Sequence, residues 1–194
     1  LEIEVVNVNE LPTITTPTLI EIAENISQVV KLQGIDPDQD PLSFSISGGE
    51  DAALLAIDAG SGMLSFLSLP DYENPVDLNQ DNNYQLTLSV NDSQGGSAHS
   101  NLTVRVIDGN ELPQFNSNSR FSVAENQTEA GQLLATDPEG EWIRYQLLDS
   151  PDQGLFEIDA QSGQLQFLTS PDYERASDSD ANGIYEVSVQ ATDQ

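Results

Sequence analysis

The stretch Leu86-Thr87-Leu88-Ser89-Val90-Asn91 alternates strictly between apolar and polar side chains. This period of two is typical of a β-strand that buries one face and exposes the other. Residues 64–66 and 102–106 repeat the pattern, and turn signals such as Asp-Pro, Ser-Gly and Asn-Asn separate such stretches. No segment has a sustained helical apolar period. The pattern therefore predicts an all-β chain.

A repeat of 101 residues organises the sequence. Asn9-Glu10-Leu11-Pro12 returns as Asn110-Glu111-Leu112-Pro113, and Pro70-Asp71-Tyr72-Glu73 returns as Pro171-Asp172-Tyr173-Glu174. Between residues 9–93 and 110–194, 27 of 85 aligned pairs are identical without a gap. We interpret this as two tandem copies of one domain of about 100 residues. Short, regularly spaced strands predict a seven-strand Greek-key β-sandwich, of the immunoglobulin-like type, for each copy.

The two ends of the sequence fit the same repeat. Leu1-Glu2-Ile3-Glu4-Val5 aligns with Leu102-Thr103-Val104-Arg105-Val106. We therefore expect residues 1–8 to be the last strand of a preceding repeat, residues 9–109 to be repeat 1, and residues 110–194 to be repeat 2 without its final strand. Such a repeat exposes a sheet edge, and we predict that residues 1–8 of a neighbouring molecule fill it.

The charge excludes several classes of partner. The chain has 33 Asp plus Glu against 5 Lys plus Arg, a net charge of -28. This charge repels nucleic-acid phosphates, and no apolar run reaches the roughly 18–20 residues that direct membrane insertion requires. With no Cys and one His, a thiolate nucleophile and a two-His metal site are excluded. The self-repulsion predicts bound hard dications with oxygen ligands, and the alternative is a solvated acidic surface.

The acidic residues cluster in turns at the boundary between the copies. The turns are Asp71-Tyr72-Glu73, Asp108-Gly109-Asn110-Glu111 and Asp137-Pro138-Glu139-Gly140-Glu141. Residues i and i+2 of an extended or turning segment aim their carboxylates at one point, which is costly without a cation. Calcium accepts six to eight oxygens in flexible geometry and suits such loops.

A second oxygen-rich pattern lies inside each copy. Oxygen side chains stand at positions 1, 3 and 5 of a loop, as in the first half of a calcium loop. These residues are Asp77, Asn79 and Asp81 in copy 1 and Asp178, Asp180 and Asn182 in copy 2. They are weaker candidates for an additional ion, and the alternative is a plain Asn/Asp turn.

The chain resembles the cadherin family, specifically the cadherin-like tandem repeats of large bacterial surface proteins. Four motifs carry the resemblance: Ala-Glu-Asn at 23–25 and 124–126, Ile-Asp-Ala-x-Ser-Gly at 57–62 and 158–163, Asp-Tyr-Glu at 71–73 and 172–174, and Asp-Gly-Asn-Glu-Leu-Pro at 108–113. The family implies sandwiches strung end to end, with calcium ions between successive domains.

The resemblance also implies the ligands of the junction, the segment Asp108–Glu111 with its neighbouring acids. They are Glu24, Asp71, Glu73, Asp108, Glu111, Asp137, Glu139 and Asp193, with main-chain oxygens near Gly109 and Asn110. Glu111 and Glu139 stand where the family usually has Asp. An upstream half-site would comprise Asn7, Asn9, Glu10, Asp36, Asp38 and Asp92, with Asn7 in place of an Asp. Glu125, Asp172 and Glu174 would await a third copy.

These observations predict a calcium-stiffened rod segment of an extracellular, surface-attached adhesion protein. Its partners would be neighbouring repeats of the same chain. The alternative is a direct binding module for another copy or for a surface polysaccharide, with Tyr72 and Trp142 as the candidate platform. Acidic pairs such as Asp71 with Glu73 could serve a glycosidase, but their recurrence in each repeat argues against a catalytic role. We therefore expect no enzyme. Trp142, Phe156 and Tyr185 are expected in cores or packed at edges.

Overall fold

The computed structural model describes residues 1–193. The chain divides into two compact units: unit 1 is Leu1–Gly109, and unit 2 begins at Asn110. Residues 1–12 of unit 1 lie outside the strands, and residues 1–8 are exposed. The assignment of residues 1–8 to a preceding repeat and the repeat boundaries remain predictions.

Unit 1 contains nine strands in three sheets. The strands are β1 (Thr13–Ile14), β2 (Leu19–Ala23), β3 (Gln28–Lys31), β4 (Gly34–Ile35), β5 (Ser43–Gly48), β6 (Leu55–Ile57), β7 (Met63–Phe66), β8 (Asn83–Asn91) and β9 (Ser97–Ile107). The sheet orders are β2-β9-β8-β5, β3-β7-β6 and β1-β4. All pairings are antiparallel except that of β2 with β9, which is parallel.

The strand predicted from alternation forms the centre of unit 1. Leu86 and Leu88 of β8 are 2% and 1% exposed, and Leu102 lies opposite Leu86 across the ladder to β9. Tyr84 contacts Phe66 of the three-stranded sheet edge to face, with ring centroids 4.8 Å apart. The apolar faces of the two sheets therefore pack together as a sandwich, where a fully buried Leu contributes about 1.5–3 kcal/mol.

The first extended stretch of unit 1 is interrupted. Its first piece, β1, pairs with β4, whereas its second piece, β2, pairs with β9 of the larger sheet. The segment between the pieces contains Pro17, which has no backbone N–H to donate to a ladder. The chain therefore changes sheets at this point.

The expectation of an all-β Greek-key sandwich is confirmed.

Unit 2 contains seven strands in the part of the chain that the structure describes. They are β10 (Gln114–Phe115), β11 (Glu129–Gln132), β12 (Ala135–Thr136), β13 (Arg144–Leu148), β14 (Phe156–Ile158), β15 (Gln164–Phe167) and β16 (Ser188–Thr192). The sheet orders are β11-β15-β14, β13-β16 and β10-β12. Phe156 and Phe167 lie in the core of unit 2, with ring centroids 4.4 Å apart, and Tyr185 packs against both rings.

Two stretches that are strands in unit 1 are not strands in unit 2. Residues 120–124 correspond to β2, and residues 184–187 correspond to the first half of β8. In unit 1 both stretches form their ladders with β9. No counterpart of β9 occurs among the described residues of unit 2. Among residues 1–193, neither stretch therefore has a neighbouring strand like β9.

One core assignment is wrong. Trp142 is 83% exposed, whereas Phe156 is 7% exposed and Tyr185 is partly buried. Trp142 follows the turn at 137–141 and stands where unit 1 has Pro41, so its position belongs to the loop before β13.

The part of the chain that the structure describes contains no helix with the length and apolar character of a membrane span.

Candidate metal centre

The strand ends of unit 1 bring three of the predicted ligands together. Glu24 directly follows β2, and Asp108 directly follows β9. Because β2 and β9 are parallel neighbours, with Ala23 opposite Ile107, both carboxylates emerge at the same edge. One oxygen each of Glu24, Asp108 and Glu73 lies within 4.8 Å of the others. Three carboxylates at this separation repel one another and attract a cation.

Glu24 also anchors the backbone around this cluster. It is only 5% exposed. Its Oε1 accepts a hydrogen bond from Gly109 N at 2.9 Å, and its Oε2 accepts one from Tyr72 N at 2.9 Å. Glu24 therefore ties the Asp-Tyr-Glu turn to the start of the linker. The sequence motif indicated a ligand here but not this second role.

Asp71 lies outside the three-carboxylate group. Its Oδ1 accepts hydrogen bonds from Asn74 N at 2.9 Å and from Asn74 Nδ2 at 3.1 Å, and its Oδ2 also accepts from Nδ2 at 3.1 Å. The carboxylate thus closes its own turn. Its predicted part in the junction remains a prediction.

The predicted ligands of unit 2 include three carboxylate oxygens that are buried and make no hydrogen bond. They are Asp137 Oδ2, Glu139 Oε1 and Asp193 Oδ2. Asp137 follows β12 and Asp193 follows β16, so strand ends again position them. The other oxygens of Asp137 and Glu139 accept from backbone N–H groups, those of Glu141 at 3.0 Å and Glu111 at 3.3 Å. Backbone contacts therefore orient two of these side chains while leaving one oxygen of each without a donor.

The upstream set in unit 1 also contains a group of three carboxylates. One carboxylate oxygen each of Asp36, Asp38 and Asp40 lies within 4.8 Å of the others. Asp36 Oδ1 accepts from Asp38 N at 2.9 Å and Asp40 N at 3.2 Å, whereas Asp36 Oδ2 is buried without a partner. This arrangement matches that of Asp137, the residue 101 positions later. Asp40 was missed, although its i, i+2 spacing from Asp38 could have indicated it.

Residues near the N terminus contact this upstream set. Asp38 accepts from Asn7 Nδ2 at 2.6 Å and Glu10 N at 2.8 Å, and Asp92 accepts from Asn9 Nδ2 at 3.2 Å. The hydrogen bonds from Glu10 and Asn7 lower the pKa of Asp38. Hydrogen bonding to Asp38 and its negative charge raise the pKa of Glu10. The carboxylates of this set are therefore close enough to influence one another.

A third acidic group lies in unit 2. Glu125, Asp172 and Glu174 each place one oxygen within 4.8 Å of the others, and all three residues are exposed. They correspond to Glu24, Asp71 and Glu73 of unit 1. Tyr173 N donates to Glu125 Oε2 at 3.1 Å, as Tyr72 N donates to Glu24. The repeat thus reproduces the contact between Tyr N and Glu in both units, whereas Asp172 joins its group and Asp71 does not.

The oxygen-rich loops inside each copy are held by their first aspartate. Asp77 is 3% exposed and accepts from Asp81 N at 2.9 Å and Asn82 N at 3.2 Å. Asp178 accepts from Asn182 N at 2.8 Å and Gly183 N at 3.2 Å. In copy 1, Asn79 donates to Asp81, and in copy 2, Asn182 donates to Asp180. The first aspartate of each loop thus closes the loop by accepting from backbone N–H groups four and five residues later. The additional ion remains a prediction.

A buried aspartate beside each loop was missed. Asp51 is 4% exposed and accepts from Leu78 N and Gln85 N, both at 2.8 Å. Asp152 is 3% exposed and accepts from Ser179 N at 2.6 Å and Glu186 N at 2.7 Å. Each carboxylate joins its loop to the following strand region. The sequence offered one signal for this role: an Asp stands at the same position in both repeats.

These oxygen positions fit a hard divalent cation. Calcium binds carboxylate, carbonyl and amide oxygens and tolerates irregular geometry. An unpartnered carboxylate oxygen that is buried is costly, because neither water nor a donor solvates its charge. The buried oxygens of Asp36, Asp137, Glu139 and Asp193 are thus the features that a cation would satisfy.

Comparisons with known proteins bear on the family and the fold of the chain. No protein-family model matches the chain. It is 31% identical over 173 residues to the Fat-like cadherin-related tumor suppressor homolog of Drosophila melanogaster, covering 83% of this chain and 4% of that relative. It is 29% identical over 202 residues to Cadherin-23 of Homo sapiens, covering 96% of this chain and 6% of that relative. These homologues support the assignment of the chain to the cadherin domain family.

A solved structure agrees on the fold of the cadherin-like chain. Human Protocadherin-24 EC1-2 is similar with a TM-score of 0.55 and 23% identity, covering 95% of this chain and 94% of that one. The chain spans less than a tenth of the length of the two curated relatives. Both relatives are animal cadherins, so they do not support the bacterial source suggested by the sequence.

Proposed function

We propose that the chain is a pair of calcium-binding cadherin-like repeats that form a stiff segment of an extracellular adhesion protein. The cadherin homologues are consistent with this role. The observation that carries the proposal is the set of buried, unpartnered carboxylate oxygens in unit 2, on Asp137, Glu139 and Asp193. The calcium concentration outside cells is typically millimolar, which suits modules with modest affinity.

The proposed junction uses acids on both sides of the covalent link between the units. Glu24, Glu73 and Asp108 form the three-carboxylate group of unit 1. Asp137, Glu139 and Asp193 supply the unpartnered oxygens of unit 2. Glu111 and the main-chain oxygens near Gly109 and Asn110 belong to the linker itself. Asp71 would join the junction site only if its carboxylate gave up the hydrogen bonds that it accepts from Asn74.

Calcium would supply positive charge and oxygen coordination to this set. Without it, carboxylates close to one another repel, and the linker is free to flex. With it, ligands from the end of one repeat and the start of the next share one ion. The linker would therefore become stiff because bound calcium removes the repulsion between the carboxylates around it. The chain's own residues provide the orientation through Glu24 and the backbone donors to Asp137 and Glu139.

We propose the upstream set as a second site that is partly formed by unit 1. Asp36 has an unpartnered buried oxygen, and Asp38 and Asp40 are its neighbours. Asn7 Nδ2 and Glu10 N donate hydrogen bonds to Asp38, and Asn9 Nδ2 donates to Asp92, the remaining acid of the proposed site. Asn7 offers a neutral oxygen where the junction has Asp108, so we expect this site to bind calcium more weakly.

Titration calorimetry with calcium tests the proposal. Asp137→Asn with Asp193→Asn removes two charges but keeps the side-chain size. We expect fewer bound ions, or weaker binding by at least tenfold, than in the unchanged chain. The matched control is Glu50→Gln with Asp149→Asn, because both residues are exposed and outside the acidic groups. Equal loss in both double variants would mean a diffuse charge effect and would contradict the assigned site.

Direct polysaccharide binding is the alternative function, and one observation favours it. Trp142 is 83% exposed, and an exposed aromatic ring can stack on a sugar; Tyr72 is 37% exposed. A glycan array probed with the chain and with Trp142→Ala separates the functions. Binding that the substitution abolishes would favour a direct binding module, and no binding by either chain would favour the rod segment.

A further inference from the structure

The loop at 178–183 of unit 2 contains the single Asn-Gly pair of the sequence, Asn182-Gly183. Both residues are exposed. In such a pair the glycine nitrogen can attack the side-chain amide carbon of the asparagine, because no Cβ on the glycine shields that nitrogen. Unit 1 has Asp81 at the position of Asn182, and Asp81 is exposed although β9 lies beside the strand that follows it. A strand like β9 therefore leaves this loop position accessible.

Hydrogen bonds fold the Asn182 side chain over the peptide bond to Gly183. Its Oδ1 accepts from Ile184 N at 2.6 Å, and its Nδ2 donates to Asp180 Oδ2 at 2.7 Å. The first contact is an Asx turn, which spans the intervening peptide bond and so holds the side-chain amide beside it. The Ile184 N–H also stabilises the negative charge that develops on Oδ1 when the amide carbon is attacked.

The attacking nitrogen faces a carboxylate and has room to move. Gly183 N donates to Oδ1 of Asp178 at 3.2 Å, a buried side chain whose Oδ2 accepts from Asn182 N at 2.8 Å. A Cβ built on Gly183 would meet no atom within 4 Å. The peptide at Gly183 is therefore not packed against a neighbour on that side, and its N–H already points to a proton acceptor.

We propose that Asn182 is a site of spontaneous deamidation in the folded chain. Gly183 N forms a bond to Cγ of Asn182, and the Cγ–Nδ2 bond breaks. The Gly183 N–H proton passes to Asp178 and from there, through water, to Nδ2, which leaves as ammonia. Water then opens the cyclic imide at either carbonyl and produces aspartate or isoaspartate at position 182. The reaction consumes only water.

Deamidation changes the contact between positions 180 and 182. It replaces the Nδ2 donor of Asn182 with a carboxylate oxygen, so Asp180 faces a like charge instead of a hydrogen-bond donor. In unit 1 the same two positions hold Asn79 and Asp81, and Asn79 Nδ2 donates to Asp81 Oδ2 at 3.0 Å. The product therefore loses an amide–carboxylate contact that both loops share, and we expect a weaker loop in unit 2.

Peptide mapping by mass spectrometry after incubation at pH 8 and 37 °C tests the site. We expect Asn182 to gain about 1 Da before any other asparagine of the chain. Asn79 is the matched internal reference, because it is exposed and also donates to a carboxylate but precedes Gln80, which has a Cβ. We expect Asn182 to react faster than Asn79 on the order of tenfold. Equal rates at the two positions would overturn the proposal.

The same incubation in denaturing urea separates the fold from the local sequence. The contacts of Asn182 with Ile184 and of Gly183 with Asp178 exist only in the folded chain, so the folded chain should react at least as fast. A folded rate well below the rate in urea would show that the loop protects Asn182 and would overturn the proposal.

Gly183→Asn tests the attacking nitrogen. It introduces the residue that unit 1 has at this position, Asn82, whose φ of +62° is close to the +80° of Gly183, so the loop should keep its conformation. Circular dichroism checks that the variant is folded. We expect the mass gain at Asn182 to be abolished, and a gain that persists would contradict attack by Gly183 N.

Urea unfolding in EDTA tests the consequence for the loop. Asn182→Asp reproduces one product and should lower the urea midpoint. Adding Asp180→Asn restores the amide–carboxylate pair found in unit 1 and should recover the midpoint. A midpoint that Asn182→Asp leaves unchanged, or that Asp180→Asn does not recover, would contradict the predicted weakening.

Discussion

At the scale of the residue, the two buried aspartates that were missed carry a large share of the loop structure. Asp51 and Asp152 each bind two backbone N–H groups from separate segments. Both stand at identical positions of the repeat, yet an isolated Asp in a turn gives no sign of burial. Sequence reasoning instead favoured acids in clusters, because clustering has an electrostatic meaning that a single buried acid lacks.

Removing Asp51 should destabilise unit 1. Asp51→Ala leaves the backbone N–H groups of Leu78 and Gln85 without their acceptor, a loss of about 2 kcal/mol in unfolding free energy. Urea unfolding followed by circular dichroism measures the change. Glu50→Ala is the matched control, since this neighbouring side chain is exposed and its removal should change stability little. Equal destabilisation by both substitutions would contradict the anchoring role.

The turn of the Ile-Asp-Ala-x-Ser-Gly motif predicts a pH dependence. Ser162 donates to Asp159 Oδ1 from its N at 2.7 Å and its Oγ at 2.9 Å, and the backbone and hydroxyl of Ser162 lower the pKa of Asp159. A lowered pKa in the folded state means that the ionised carboxylate stabilises the fold above its unfolded pKa, near 4. This contribution is lost as the pH falls through the folded pKa.

Asp159→Asn should therefore be less stable than the unchanged chain at pH 6, and the difference should shrink by pH 3. Urea midpoints measured in EDTA at both pH values test this, because calcium binding then does not contribute. A stability difference that stays constant between pH 6 and pH 3 would show that the charge of Asp159 has no part in the turn.

At the scale of the element, alternation predicted the strands that are buried on one side. Residues 86–91 and 102–106 lie in β8 and β9, and their apolar side chains are buried in unit 1. The same reasoning could not predict that residues 120–124 lack a strand, since they alternate like β2. A strand needs a partner for its backbone groups, and that partner lies elsewhere in the sequence.

The glycine that ends the motif turn is predicted to be sensitive to substitution in unit 2. Gly163 has φ +72°, and a Cβ there would collide with the backbone carbonyl oxygen of Leu133. Gly163→Ala should cost more than the about 1–2 kcal/mol of left-handed strain. Gly140→Ala is the control: its φ is +75°, but its Cβ would meet no atom within 4 Å. Equal changes in unfolding free energy would rule out the collision.

The candidate site illustrates what the sequence could and could not predict. The family resemblance named Asp36 and Asp38 as well as Glu24, Glu73 and Asp108, and the structure places the carboxylates of each set near one another. Spacing alone could not separate Asp71, whose carboxylate closes its own turn. The competition between a ligand role and a local Asx turn depends on side-chain direction, which is set only when the strands on either side pair.

At the scale of the whole molecule, the net charge of -28 favours a cation-dependent fold. Repulsion among so many carboxylates opposes compaction, and the acids are grouped near strand ends rather than spread evenly. A cation that binds only the folded state stabilises it by mass action. The proposed rod thus links the stability of the repeats to the calcium concentration around them.

The most direct test of this account is the thermal unfolding midpoint in excess EDTA and in millimolar calcium. At a calcium concentration one hundred times the dissociation constant, the stabilisation is about 2.7 kcal/mol, so we predict a rise on the order of 10 °C. Glu24→Gln with Asp108→Asn should lose most of this rise, whereas Glu50→Gln with Asp149→Asn should keep it. An unchanged midpoint in calcium for the unsubstituted chain would contradict the calcium-stiffened rod and leave these acids as a solvated surface.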